Sequence, residues 1–347
     1  MKISCFLFLI LLCCSIQQGL ALKQFLKFNE NGDFKILQFT DLHYGEVILD
    51  EFTMMVQEIV LDIEKPDFVV MTGDQLDGSY SGTSYWGKME WNNTVKGMVK
   101  RNIPWAMTFG NHDDQGYFTR EQLMTIDKSY PLSQSEFGPE SLHGVSNYYL
   151  EIHTAESTPD DKEVAVVLYF LDSGDRDCMG HGGWGCVYPD QIEWFKAVSS
   201  QFSQRYPKHM GIVNFHIPVP EMVEFWHTNI SYGLKEEGVG CPNYNTGLYQ
   251  AMVDNGNIEL VLVGHDHKDD YCTRSKATAP QLWMCYGRKS GFGNYNPVPP
   301  MYHGARIIQL YNDMPDGITW NSWIRDQQKQ KIVQPLHQPD GKTEHCA

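Results

Sequence analysis

Five short apolar runs in this chain each end in residues that bind metal ions. Phe34 to Thr40 precedes Asp41-Leu42-His43, and Phe68 to Met71 runs into Thr72-Gly73-Asp74-Gln75-Leu76-Asp77. Trp105 to Phe109 leads to Gly110-Asn111-His112-Asp113. Met210 to Phe215 stops at His216, and Ile258 to Val263 stops at Gly264-His265-Asp266-His267. Runs of this length read as buried strands, and open α/β sheets gather their ligands beyond the C-terminal ends of strands. In extended chain, side chains at i and i+2 point to one side. Asp41 with His43, and His265 with His267, can therefore each chelate from a single turn. The candidate ligands are Asp41, His43, Asp74, Asn111, His216, His265 and His267. Mixed imidazole and carboxylate donors suit Zn, Mn or Fe better than Ca, which takes oxygen alone. Seven donors exceed one tetrahedral site and suit two ions with one carboxylate bridging. Such ions sit roughly 3.5–4 Å apart and clamp the attacking and leaving oxygens of an in-line displacement.

Taken singly, each motif is as ordinary as a turn; five in one order, each after a strand, point to a shared site. The elements between them agree. Val47 to Ile63 has helical periodicity and stops before Lys65-Pro66, residues 79 to 86 read as a loop, and Asn93 to Arg101 reads as the end of a helix. Gln115 to Lys128 reads as a helix, Ser146 to Glu151 and Val164 to Leu171 as paired strands, and Pro189 opens a helix to about Gln204. A short helix begins at Pro218 to Glu221, residues 232 to 245 form a Gly- and Asn-rich loop, and Thr246 to Asn255 is helical. Leu282 to Tyr286, Ala305 to Tyr311 and Gly317 to Ile324 read as further strands, and the tail from Gln327 as polar and loose. Strands alternating with helices over short joints predict an α/β fold with helical layers. With no repeat and no linker, residues 22–326 read as one domain, followed by a tail at 327–347.

The chain has 347 residues, 42% hydrophobic and 20% charged, enough for one large core. A formal net charge of -16 argues against a nucleic-acid or anionic-membrane binder. It also means that a phosphate ligand would need local positive charge, which bound metals supply. Lys2, the apolar run Phe6 to Cys14 and Gly19-Leu20-Ala21 read as a signal peptide over residues 1–21. Secretion, or delivery to an endomembrane or lysosomal lumen, follows from that reading, and no later stretch is long enough to span a bilayer. Of nine cysteines, Cys178, Cys186, Cys241, Cys272, Cys285 and Cys346 lie beyond the leader. An even count in an oxidising compartment points to disulfides. Cys178 with Cys186, and Cys272 with Cys285 across a hairpin, are plausible pairs. Asn92-Asn93-Thr94 and Asn229-Ile230-Ser231 are candidate glycosylation sites.

The ordered set Asp-x-His, Gly-Asp-x-x-Asp, Gly-Asn-His-Asp, a lone His and Gly-His-x-His resembles the calcineurin-like metallophosphoesterases, over roughly residues 33–290. Phe215-His216-Ile217-Pro218-Val219-Pro220-Glu221, Leu171 to Asp175, and Tyr271-Cys272 with Cys285-Tyr286-Gly287 resemble the purple acid phosphatase-like branch, several of whose members are called inactive. The resemblance implies a four-layer α/β/β/α sandwich with mixed sheets. It implies that Asp41, His43 and His267 hold one metal, that Asn111, His216 and His265 hold the other, and that Asp74 bridges them. It implies a small phosphate ester as substrate, attacked by a metal-bridging hydroxide, with a monoester favoured over a diester and a non-catalytic metal- or phosphate-binding protein as the contrasting role. His112 would stabilise charge or protonate the leaving oxygen, oriented by Asp77, with Asp113 and Asp114 as rivals for that role. True purple enzymes carry an iron-binding Tyr where Asp77 stands and lack the equivalent of His43, so this resemblance implies a colourless protein. Tyr44, Tyr80, Tyr85, Trp86, Trp184, Trp226, Tyr286 and Phe292 are candidates to wall the pocket, and Arg288 and Lys289 either meet substrate or are plain surface charge.

Overall fold

The computed structural model describes residues 23–80, 82–275, 281–299, 301–312 and 317–347. The expected signal peptide, residues 1–21, lies outside them. In chain order the elements are β1 (Asp33–Phe39), α1 (Val47–Glu64), β2 (Phe68–Thr72), α2 (Ser84–Arg101), β3 (Trp105–Thr108), α3 (Arg120–Lys128), β4 (Tyr148–His153) and β5 (Val164–Phe170). There follow α4 (Pro189–Arg205), β6 (Met210–Asn214), α5 (Glu221–Thr228), β7 (Ser231–Tyr232), α6 (Leu248–Asn255), β8 (Ile258–Val263), β9 (Cys272–Arg274) and β10 (Trp283–Tyr286). The last four strands are β11 (Gly304–Asn312), β12 (Ile318–Asp326), β13 (Lys331–Ile332) and β14 (Leu336–His337).

The strands form two mixed sheets. One is six-stranded, β13-β12-β11-β1-β2-β3, with β1, β2 and β3 parallel. The other is eight-stranded, β14-β7-β9-β10-β8-β6-β5-β4, with β5, β6, β8 and β10 parallel. Every residue of β2, β3, β5 and β6 is buried, as expected of strands covered on both faces. The period-2 alternation of β5 shows what covers them. Val166, Leu168 and Phe170 join the core shared with β1 to β3, while Val167 and Tyr169 join a second core with α4 and α6. Helix α1 packs on β11, β12 and α2, and α6 packs on β8 and α4. The result is helices, sheet, sheet, helices, the metallophosphoesterase sandwich.

Local chemistry explains where the sequence reading missed. Helix α2 starts at Ser84, inside the stretch read as a loop, because the Thr83 hydroxyl caps it by accepting from the Trp86 amide. Helix α3 starts at Arg120, later than expected, behind a Thr119/Gln122 capping box. The tail is polar but not loose. It supplies β13 and β14, and the Cys241–Cys346 disulfide ties its end to the loop before α6. His227 adds hydrogen bonds to Asp340 and Glu344, each 2.7 Å long.

Candidate metal centre

The parallel strands of both sheets deliver all seven expected ligands to one place, and all seven are buried. The turns that present them are unusual. Asp41 (φ 51°), His43 (φ 47°), Asp74 (φ 53°) and His265 (φ 82°) have left-handed backbone without being glycine. Such residues cost free energy and persist where the surroundings fix them. Here the fixing is explicit. Asp41 N–H donates to Gly73 O, His43 N–H to Asp74 O, and Tyr44 N–H to Gln75 O, so the first two ligand turns are laced together. Asp113 accepts from the amides of Asp74, Leu76 and Gly110, at 3.1, 2.9 and 2.7 Å, and joins the second turn to the third. Gly110 is required by close approach, since a Cβ there would strike the Asp74 carboxylate.

Asp41, His43, Asp74 and His267 form one cluster, their ligand atoms within 4.8 Å of one another. His43 Nε2 and His267 Nε2 are 3.0 Å apart, and His267 Nε2 is 3.5 Å from Asp41 Oδ1. On the other side of Asp74, His216 Nε2 lies 3.1 Å from Asp74 Oδ2 and 3.1 Å from Asn111 Oδ1. The His265 ring packs edge-on to His216 with centroids 5.2 Å apart. Asp74 is thus shared between the two groups, 3.5 Å from His43 Nε2 as well.

The hydrogen bonds of the donor set fit a bound cation. His216 Nδ1 donates to Thr72 O (2.8 Å) and His267 Nδ1 to Tyr295 O (2.8 Å). Each contact commits one ring nitrogen as donor and turns the Nε2 lone pair inward, the arrangement that orients a metal-binding imidazole. Lone pairs and carboxylate oxygens then crowd one buried space. The electrostatics record the crowding. Burial alone would lower His216, but the Asp74 carboxylate beside it pushes it up to about 9. Burial presses Asp74 upward, yet His216 and His43 carry it well below the usual carboxylate range. Burial and the Asp74 charge lift Asp113 to about 7.

His112 is half-buried beside the cluster, its ring 5.1 Å from that of His43. Asp77, His43 and His112 bring ligand atoms within 4.8 Å of one another. The two rivals of Asp77 are engaged elsewhere, Asp113 with backbone amides and Asp114 with Arg120 at 3.2 Å. The direct partner of His112 Nδ1 is Gln115 Oε1 at 2.9 Å, which sequence reasoning missed; its i+3 spacing from His112 was the available signal. Arg288 and Lys289 are not surface charge. Arg288 pairs with Asp270 in the interior, and Lys289 Nζ donates to Asp41 O at 3.2 Å. Burial pushes Lys289 down to about 8 against the opposing pull of Asp41, Asp74 and Asp77. Of the aromatics, Tyr44 and Trp226 belong to the packed interior, and Tyr286 gives its hydroxyl to Asp266 at 2.6 Å. Trp184 does border the centre, edge-on to His265 at 4.3 Å.

Fold and site together define a calcineurin-like phosphoesterase, and the chain belongs to that family, whose sequence model matches residues 34–269. The chain is 32% identical over 320 residues to "Probable inactive purple acid phosphatase 29" of Arabidopsis thaliana, covering 84% of this chain and 80% of that protein. It is 35% identical to "Phosphatase DCR2" of Saccharomyces cerevisiae over 87% of this chain, and spans 55% of the yeast protein's length. Among solved structures, purple acid phosphatase PPD1 from yellow lupin superposes with a TM-score of 0.50 at 12% identity, covering 88% of this chain and 54% of that one. That likeness concerns the fold.

Proposed function

We propose that the protein is a secreted, dinuclear-metal phosphomonoesterase. The observation that carries this reading is the convergence of seven buried donors, from the ends of β1, β2, β3, β6 and β8 in two sheets, with Asp74 shared between two groups of them. Asp41, His43 and His267 would hold one ion, Asn111, His216 and His265 the other, as Fe, Mn or Zn. When bound, such ions neutralise a phosphoryl group and make water nucleophilic at neutral pH. The chain's own residues do the rest. His112, half-buried and held at Nδ1 by Gln115, is free to face substrate with Nε2, as a donor to the leaving oxygen. Asp77 stands beside both His112 and His43, its carboxylate 4.0 Å from His43 Nδ1. Several relatives are called inactive; this chain retains every expected ligand and His112.

Secretion is part of the proposal. It is supported by three disulfides and by the lack of any helix among the described residues long and apolar enough to cross a membrane. Asn92 is exposed on α2, whereas the Asn229 amide donates to Arg274 O, so Asn92 is the sequon open to a glycan. The test is hydrolysis of an aryl phosphate monoester and diester by metal-loaded protein. Monoester turnover is expected to dominate. His112→Ala is expected to lower kcat by about 10²–10⁴-fold at unchanged metal content. Diester hydrolysis alone would replace the substrate class while leaving the metal chemistry intact.

A further inference from the structure

The loop between β5 and α4 stands over the half of the centre that holds His216 and His265. It is closed by the Cys178–Cys186 disulfide and an isolated bridge between Arg176 and Trp184. Backbone hydrogen bonds fix its path: Asp177 N–H to Gly183 O (3.0 Å), Gly185 N–H to Asp175 O (2.9 Å) and Cys178 N–H to Trp184 O (3.3 Å). The Asp177 carboxylate accepts from the Gly182 amide at 2.7 Å. At the base, Ser173 Oγ accepts from Ile217 N–H (3.0 Å), the residue after His216. The loop is therefore cross-linked within itself and anchored at a metal-ligand turn.

Two side chains of this loop reach the centre as a stack. Trp184 packs edge-on against His265 at 4.3 Å, and the guanidinium of Arg176 lies over the Trp184 ring at 4.2 Å. A guanidinium on an aromatic face keeps its N–H donors in its own plane, pointing outward, and the ring restricts its rotamers. Arg176 is exposed and forms no ion pair among the described residues, in a chain with 43 acidic and 27 basic residues. Its neighbour Asp175 lies within electrostatic reach of His112 as well as of Arg176. Arg176 is thus one aromatic ring away from His265, on the exposed side of the loop that carries both Arg176 and Trp184. The other cations of the region are spent: Arg120 is paired with Asp114 and Asp172, and Lys289 is buried against Asp41.

We propose that Arg176, held on Trp184, is a specificity-determining residue that binds a second phosphate on the substrate, one carried by the leaving group. This rests on the phosphoesterase reading above and deepens it: the metals would take the phosphoryl that is transferred, and Arg176 the anion that is not. A planar fork of donors suits that second phosphate through paired, charge-assisted hydrogen bonds.

The probes are propylphosphonate and propane-1,3-bisphosphonate, titrated calorimetrically into the metal-loaded protein, with propyl phosphate and propane-1,3-diol bisphosphate as the hydrolysable pair. The wild type is expected to bind the bisphosphonate about 10-fold more tightly than the monophosphonate. Arg176→Ala is expected to erase that preference by weakening the bisphosphonate alone. In turnover it raises KM for the bisphosphate roughly 10-fold and leaves both constants for propyl phosphate unchanged. Arg176→Lys keeps the charge without the planar fork and is expected to fall between. Metal content and thermal midpoint establish that each variant is folded. A wild type without preference, a preference that survives Arg176→Ala, or an equal loss for both ligands overturns the proposal. Failure of the parent reading looks different: no ester is hydrolysed, while the calorimetric preference is still read.

Discussion

The two sheets contribute unlike halves to one centre. The six-stranded sheet, through β1, β2 and β3, brings both carboxylates, Asp41 and Asp74, together with His43, Asn111 and His112. The eight-stranded sheet, through β6 and β8, brings only imidazoles, His216, His265 and His267. The halves are also held differently. In the first, ligand turns are laced by backbone hydrogen bonds and by Asp113. In the second fall all three disulfides found among the described residues. Loop 234–241 is an example of the second kind. Its Gly240 N–H donates to Asp266, between the two ligand histidines, while Cys241 is bonded to Cys346. The packed negative charge of the first half is met by a frame of backbone amides, whereas the histidine-bearing half is held by covalent cross-links. The acidic half is wired, and the imidazole half is stapled.

The largest effect should come where the halves meet. Asp74→Asn removes the shared charge, and turnover is expected to fall by roughly 10³-fold or more with loss of bound metal, read by elemental analysis and kinetics. Next comes the wiring of the acidic half. Asp113→Ala leaves three buried amides without an acceptor and is expected to cost about 3–5 kcal/mol in denaturant unfolding, with Asp113→Asn milder. A loss under about 1 kcal/mol would break the claim that Asp113 is structural. The staple is expected to matter somewhat less. Cys241→Ser with Cys346→Ser opens a link across 105 residues and should cost about 2–4 kcal/mol. A chelator should then strip one metal equivalent markedly faster than the other; equal release would erase the contrast between halves. The smallest effect lies far from the centre. His153, stacked on Phe25, is pushed down to about 4 by burial and by Lys162. The folded state then binds fewer protons than the unfolded one between pH 6.5 and about 4. Its contribution is complete above pH 6.5 and is lost as pH falls through that window, about 1–3 kcal/mol in all. His153→Gln should flatten that part of the stability profile.

The acidic half was the more legible in the sequence. Asp41-Leu42-His43 and Gly110-Asn111-His112 are contiguous, and each follows an apolar run whose strand matches the expectation within a residue or two. The disulfides at Cys178–Cys186 and Cys272–Cys285 were legible for the same reason, their partners being 8 and 13 residues apart. What was hidden depends on distant partners. Cys241–Cys346 turns a polar tail into an anchored one, yet nothing near Cys346 records its partner. Asp113 looked like a competitor for His112 because the partners of its carboxylate are backbone amides, which leave no mark on residue identity. Lys289 and Arg288 read as either substrate contacts or surface charge, because burial of a cation is set by Asp41 O and Asp270, remote in sequence. Helix α2 was hidden at its start by Tyr85-Trp86-Gly87, a run without helical periodicity whose cap, Thr83, was the overlooked signal.

The meeting of the two halves is tested most directly by loading the chain with two equivalents of Mn or Zn, verifying the occupancy, and following hydrolysis of an aryl phosphate. The expected result is steady turnover that requires both ions and vanishes when either is withdrawn. Full occupancy of both positions with no hydrolysis of a monoester or a diester would contradict it.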